Sequence, residues 1–168
     1  MEFDDVVEIP YDIQQLLSWR KSYDAMKIKF IRCHFPKTLE FLTERQVRTL
    51  SHQSEAHYPE IKAMNWFLSC GFSAYYVESG FITSYNDEIK QIIERNFTRE
   101  QSNFLFSVKH GGIPDLLIGK DNNWRFAEVK MIHKRADKPT KKELETFPLI
   151  QNIGIRIDLA KVIPEFAK

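Results

Sequence analysis

Residues 114–130, Pro114-Asp115-Leu116-Leu117-Ile118-Gly119-Lys120-Asp121-Asn122-Asn123-Trp124-Arg125-Phe126-Ala127-Glu128-Val129-Lys130, decide how this chain folds. Pro114 to Ile118 reads as a short apolar strand. Lys120-Asp121-Asn122-Asn123 reads as a turn, because Asn and Asp tolerate the backbone angles that tight turns require. Trp124 to Lys130 reads as a second strand. Side chains alternate between the two faces of a strand, so Glu128 and Lys130 point the same way and Val129 points into the opposite, apolar layer. If the two strands pair as a hairpin, Asp115 projects beside Glu128.

The segments on either side are expected to build helices around that hairpin. Upstream, Pro59 suits the first turn of a helix. Ile61, Met64, Phe67 and Leu68 give that helix an apolar face, and Gly71 closes it. A short strand is expected over Ala74 to Glu78. Asn86 or Asp87 then caps a helix with Ile89, Ile92, Ile93 and Phe97 on one stripe. Phe104, Phe106 and Val108 alternate with polar positions and predict a strand. Downstream, Thr140 and Glu143 make a capping box that starts a helix, which Pro148 should kink or end early. Ile155, Ile157 and Leu159 mark a final strand after Gly154. Residues 1–53 read as a mostly helical extension. Ile13, Leu16, Leu17, Tyr23 and Met26 form one stripe there, and a second helix opened by Pro36 and Thr38 carries Leu39, Leu42 and Leu50. Residues 27–31 fit helix or strand equally. The expectation is an α/β chain in which a mixed central sheet is flanked by helices over residues 54–168.

Composition narrows the classes. The chain has 168 residues, enough for a core that buries roughly 70% of the unfolded surface, and 22 aromatic residues exclude intrinsic disorder. No apolar run approaches the ~20 residues that cross a bilayer. The start of the chain is acidic and has no leader pattern, which leads to an intracellular expectation, cytoplasmic or, in a eukaryote, nuclear. Cys33 and Cys70 are too few for a disulfide framework and are expected as reduced, buried thiols. The net charge is only +1, so the chain is not globally basic. Residues 1–12, however, carry five acids and no base, which leaves +6 on the remainder.

The chemistry lies at the hairpin. Two adjacent carboxylates cannot both ionise cheaply without a counter-charge. Magnesium supplies one, since it is held by one or two carboxylates together with water and phosphate oxygens. Lys130 would stand beside it, facing a phosphate and the attacking water. A metal that polarises a phosphoryl oxygen and acidifies a bound water, with a lysine to stabilise developing charge, suits phosphodiester hydrolysis. Residues 130–142 add Lys130, Lys134, Arg135, Lys138, Lys141 and Lys142 against Asp137 alone, with His133 among them. A phosphate backbone bound by this segment would lie beside the metal strand. Lys109 and His110 flank the glycine pair that precedes Asp115 and are candidates for the same contact. The pairs Tyr75-Tyr76 and Trp66-Phe67 are expected in the core, with base stacking as the alternative.

Gly111-Gly112-Ile113-Pro114-Asp115-Leu116-Leu117-Ile118, followed by Phe126-Ala127-Glu128-Val129-Lys130, resembles the PD-(D/E)XK nuclease superfamily. The likeness is greatest to its VRR-NUC and Holliday-junction-resolvase-like branches and covers about residues 54–163. It implies a restriction-endonuclease-like fold. It also implies magnesium, with manganese able to replace it, held by Asp115, Glu128 and the Val129 carbonyl, and an assisting Lys130. The product would be a 5′-phosphate and the partner DNA. Relatives often add an acid on the helix before the first core strand. Glu60 fits that place, with Glu55 as its rival, and a plain acid at a helix N-terminus accounts for Glu60 equally well. Relatives also often carry a glutamine early in the helix after the lysine strand. Glu143 stands near there, and its capping role is sufficient explanation. The helix at 86–97 resembles an insertion. Cutting two strands together would suit a homodimer. The competing class is a catalytically silent protein of this fold that binds nucleic acid or a protein partner.

Overall fold

The computed structural model describes residues 1–53, 55–77, 86–109, 111–132 and 138–165. In chain order these form β1 (Val6–Tyr11), α1 (Ile13–Lys21), α2 (Asp24–His34), a 3-10 turn (Pro36–Glu40), α3 (Glu44–His52), α4 (Tyr58–Ser69), β2 (Ser73–Tyr76), α5 (Asp87–Asn96), α6 (Arg99–Ser107), β3 (Leu116–Lys120), β4 (Asn123–Met131), α7 (Lys141–Asn152) and β5 (Ile157–Pro164). The predicted hairpin is β3–β4. Lys120 pairs with Asn123, and between them Asp121 and Asn122 both take positive φ, 53° and 63°. That is the two-residue turn whose twist matches the strands it joins.

The strands form one mixed sheet in the order β1-β5-β4-β3-β2. The pairs β2–β3 and β3–β4 are antiparallel, while β4–β5 and β1–β5 are parallel. Alternation sends the two faces into two cores. Leu116, Ile118, Ala127, Val129, Ala160 and Val162 meet Ile61, Met64, Phe67 and Leu68 of α4. Leu117, Phe126 and Ile157 meet Ile89 and Ile93 of α5, Leu105 of α6, and Phe147 and Ile150 of α7. Each such Val, Leu, Ile, Met or Phe side chain contributes about 1.5–3 kcal/mol when fully buried. Gly71 ends α4 at φ 87°. The N–H of Phe72 returns to the Phe67 carbonyl and that of Gly71 to Leu68, so the last turn's carbonyls are satisfied.

Several expectations are corrected. Residues 1–53 are mostly helical but also supply β1, which pairs with β5 in register Val6–Leu159 through Tyr11–Pro164. Ile9 and Tyr11 point inward, Glu8 and Pro10 alternate with them on the exposed face, and Pro10 is tolerated because β1 is an edge strand. The stripe spanning Ile13 to Met26 does not exist as one face. The chain breaks between α1 and α2, so of the apolar residues there only Leu16 and the unpredicted Trp19 are buried, while Ile13, Leu17, Tyr23 and Met26 are exposed. Residues 27–31 are helical. The helix expected from Pro36 is a 3-10 turn followed by a separate α3, restarted by a Thr43–Gln46 capping box.

The strand expected at 104–108 is helix α6. Thr98 and Gln101 form a capping box that starts it, and the three-residue spacing of Ser102, Leu105 and Val108 is the one that is buried. α7 runs through Pro148 to Asn152, because Phe147 and Ile150 on either side are packed into the core. Cys33 and Cys70 are exposed. Tyr75, Tyr76 and Phe67 are core residues, as expected, while Trp66 is only half-buried against the α4-side core. Among the described residues no helix is long and apolar enough to cross a membrane.

Candidate active site

The β3–β4 ladder brings the acids together. Its last pair is Leu116 with Ala127, so one further step sets Asp115 opposite Glu128. The β2 side reaches the same level, where the Val77 N–H donates to the Asp115 carbonyl at 2.8 Å. The Asp115 carboxylate caps the open end of the ladder: Oδ2 accepts from the Val129 N–H at 2.9 Å. Val129 itself, the expected main-chain ligand, therefore runs directly beside that carboxylate, with its side chain in the α4-side core.

Glu128 and Lys130 share the opposite face of β4. Glu128 is 3% exposed, and its Oε1 lies 2.7 Å from Lys130 Nζ. Lys130 also donates to Glu143, at 3.2 Å to Oε1 and 3.4 Å to Oε2. Glu143 is thus both a cap and a site residue. Its Oε2 accepts from the Thr140 N–H at 2.8 Å, which starts α7. Sequence reasoning stopped at the cap because the box explains Glu143 completely from local spacing. The useful signal was its place just beyond the lysine strand. Lys161, in register with Lys130 on β5, is a second base at this level that the sequence did not single out.

Glu60 stands in the first turn of α4 and acts on Asp115 through its charge. Burial pushes the Asp115 carboxyl up to about 7, and the Glu60 charge adds to this, while the Val129 N–H and Lys130 pull it back. Burial, followed by the Asp115 charge, pushes Glu128 well above the carboxylate range against the opposing pull of Lys130. Burial alone would lower Lys130, but Glu128 and Glu143 outweigh it and hold the ammonium charged. Glu55 is exposed. His57, at the N-terminus of α4, holds the Tyr76 hydroxyl through Nδ1 at 2.9 Å.

The Lys130 ammonium touches two of these acids, Glu128 and Glu143, while Glu60 adds its negative charge at Asp115, so the acids outnumber the ammonium among them. Among the described residues no three His, Cys, Asp or Glu side chains form a ready-made metal cluster. A cation held here would draw on the two strand carboxylates, with main chain and water completing its shell. An all-oxygen set with two carboxylates fits magnesium, which keeps much of its water. No hydrogen bond from a described residue occupies Asp115 Oδ1 or Glu128 Oε2.

The basic residues divide. A Cβ on Gly112 would lie 2.4 Å from Val108 Cγ1 and 3.3 Å from Lys142 Cε. The Lys142 stem therefore crosses the glycine turn just before Asp115. Gly112 also donates to the Lys109 carbonyl at 3.1 Å, which keeps exposed Lys109 beside the same turn. Lys138 and Lys141 are exposed, and among the described residues Lys141 reaches only Glu145, at 3.9 Å. His110, His133, Lys134 and Arg135 lie outside the described residues. Comparison with protein-family models, with curated proteins and with solved structures gives no match.

Proposed function

We propose that this protein is a magnesium-dependent nuclease of the PD-(D/E)XK type, with a restriction-endonuclease-like fold, that hydrolyses DNA phosphodiester bonds. The observation that carries the reading is the meeting of Asp115, Glu128 and Lys130 at the open end of the β3–β4 hairpin. The element order also supports it. An acid-bearing helix, α4, precedes β2. The two carboxylates come from adjacent antiparallel strands, and α7 leads from the lysine strand to parallel β5.

Asp115 and Glu128 would hold magnesium, with manganese able to take its place, and the Val129 carbonyl would complete the protein's share. Bound there, the ion supplies Lewis-acid polarisation of a phosphoryl oxygen and an acidified water. Lys130 contributes a fixed ammonium that orients the attacking water and stabilises charge developing on phosphorus oxygens. Glu60 strengthens the negative field at Asp115. Lys142 and Lys109, beside the glycine turn, would hold phosphates flanking the cut, a contact that weakens with salt.

The test is nicking of supercoiled plasmid and of a branched duplex, with an RNA duplex alongside, in magnesium and in chelator. Magnesium-dependent cleavage of DNA is expected. Asp115→Ala and Lys130→Ala should lose it while keeping their folded spectra. Undiminished cleavage by both variants overturns the assignment. The direct Lys130–Glu128 ion pair, which closes the pair without a cation, favours a second reading as a silent binding protein. Gel-shift of DNA with no cleavage in any divalent metal would select that reading.

A further inference from the structure

Lys130 has two carboxylates within reach, and they are not equivalent. Glu128 comes from the same strand and lies 2.7 Å away. Glu143 comes from α7 and lies 3.2 Å away. Its side chain is fixed from behind by the Thr140 N–H at 2.8 Å, and its own N–H is held by Thr140 Oγ1 at 3.2 Å. Both carboxylates are largely buried, with side-chain exposures of 4% and 12%. Neither the capping box nor the hairpin by itself requires this contact.

We infer that Glu143 is a positioning residue that gives the Lys130 ammonium a second berth, so that Glu128 is free to engage a divalent cation. This rests on the nuclease reading and deepens it. Without Glu143 the only carboxylate left on Lys130 among the described residues is Glu128, so the lysine on Oε1 and a cation compete for the same carboxylate. With Glu143 present, Lys130 turns from Glu128 to Glu143 as Glu128 is taken up. Lys130 then stays charged and ordered beside the reacting phosphate. The helix cap thus sets both where α7 starts and where the site lysine rests. A partner of this kind, outside the ligands themselves, is typically worth about 10–100-fold in metal affinity.

The experiment is magnesium calorimetry on the intact chain as wild type, Glu143→Gln, Glu143→Ala, Thr140→Ala, Lys130→Met and the double variant Lys130→Met/Glu143→Gln. Gln at 143 keeps an acceptor for the Thr140 N–H and loses the charge. Thr140→Ala loosens the cap and leaves the Glu143 carboxylate on its main-chain donor. Both Glu143 variants should bind magnesium at least about tenfold more weakly. Thr140→Ala should melt earlier, as loss of a cap predicts, yet bind within about twofold of wild type. On the Lys130→Met background, Glu143→Gln should change affinity little, because its effect runs through the lysine.

An additive double variant, or a Glu143→Gln that binds like wild type, overturns the inference and leaves the nuclease reading standing. No magnesium binding by wild type overturns both. Should Lys130→Met fail to fold, a magnesium-soaked crystal of wild type decides. Lys130 Nζ is expected on Glu143 and off Glu128, and an unmoved lysine refutes the second berth.

Discussion

Replacing Asp115 by Asn should stabilise the metal-free protein while destroying its response to magnesium. Burial, with Glu60 adding to it, pushes the Asp115 carboxyl from an ordinary 3.8 to about 7. At about 1.4 kcal/mol per decade, holding that group ionised above neutrality costs about 4 kcal/mol of folding free energy. Asp115 remains partly open to solvent, so screening brings the recoverable part down to roughly 2 kcal/mol. Asn removes the charge, keeps nearly the same volume, and retains a carbonyl oxygen for the Val129 N–H. For a chain of this size the gain corresponds to about 4–8 °C in Tm. The assay is thermal melting at pH 8 in chelator and in excess magnesium. Wild type should gain stability from magnesium through preferential binding to the native state. The Asn variant should start higher and gain nothing. A metal-free variant that melts at or below wild type would refute the account of the site as a cluster of under-compensated charge.

Three other outcomes follow from the same structure. Because the folded Asp115 carboxyl binds its proton more tightly than the unfolded one, metal-free wild type should lose stability as pH rises from about 4 to about 7. The stabilisation by magnesium should grow over that window, and melting curves with and without the ion check both slopes. Lys27, fully buried with its Nζ donated to the Trp19 carbonyl and lying 3.8 Å from the Trp19 ring, is pulled down by burial to about 8. The folded state therefore holds fewer protons than the unfolded one between about 8 and 10.5, so wild-type stability should rise with pH there, and Lys27→Met should remove that rise in urea titrations. A Cβ at Gly119 would stand 2.4 Å from the Trp124 ring, so Gly119→Ala should cost about 1–3 kcal/mol by overpacking. Denaturant unfolding measures that cost, and a neutral result would mean the ring moves aside freely.

What sequence alone determined here was whatever depends on neighbours along the chain. The Asp121-Asn122 turn, the capping boxes, the apolar face of α4 and the period-two placement of Glu128 and Lys130 are set by torsional preferences and spacings of a few residues. A turn of only two residues also carries Asp115 to Glu128, which is why the central pair could be read without coordinates. Tertiary structure decided what rests on distant partners. Val6 to Tyr11 is extended because β5, some 150 residues on, offers an edge to pair with. Residues 104–108 took the helical period over the strand period because α6 buries Leu105 against Phe126 and its neighbours. Glu143 looked fully used by its own helix until folding brought Lys130 within reach. Hydrogen bonds between distant segments become favourable only after the chain's entropy has been overcome by the whole core, and local pattern holds no record of them.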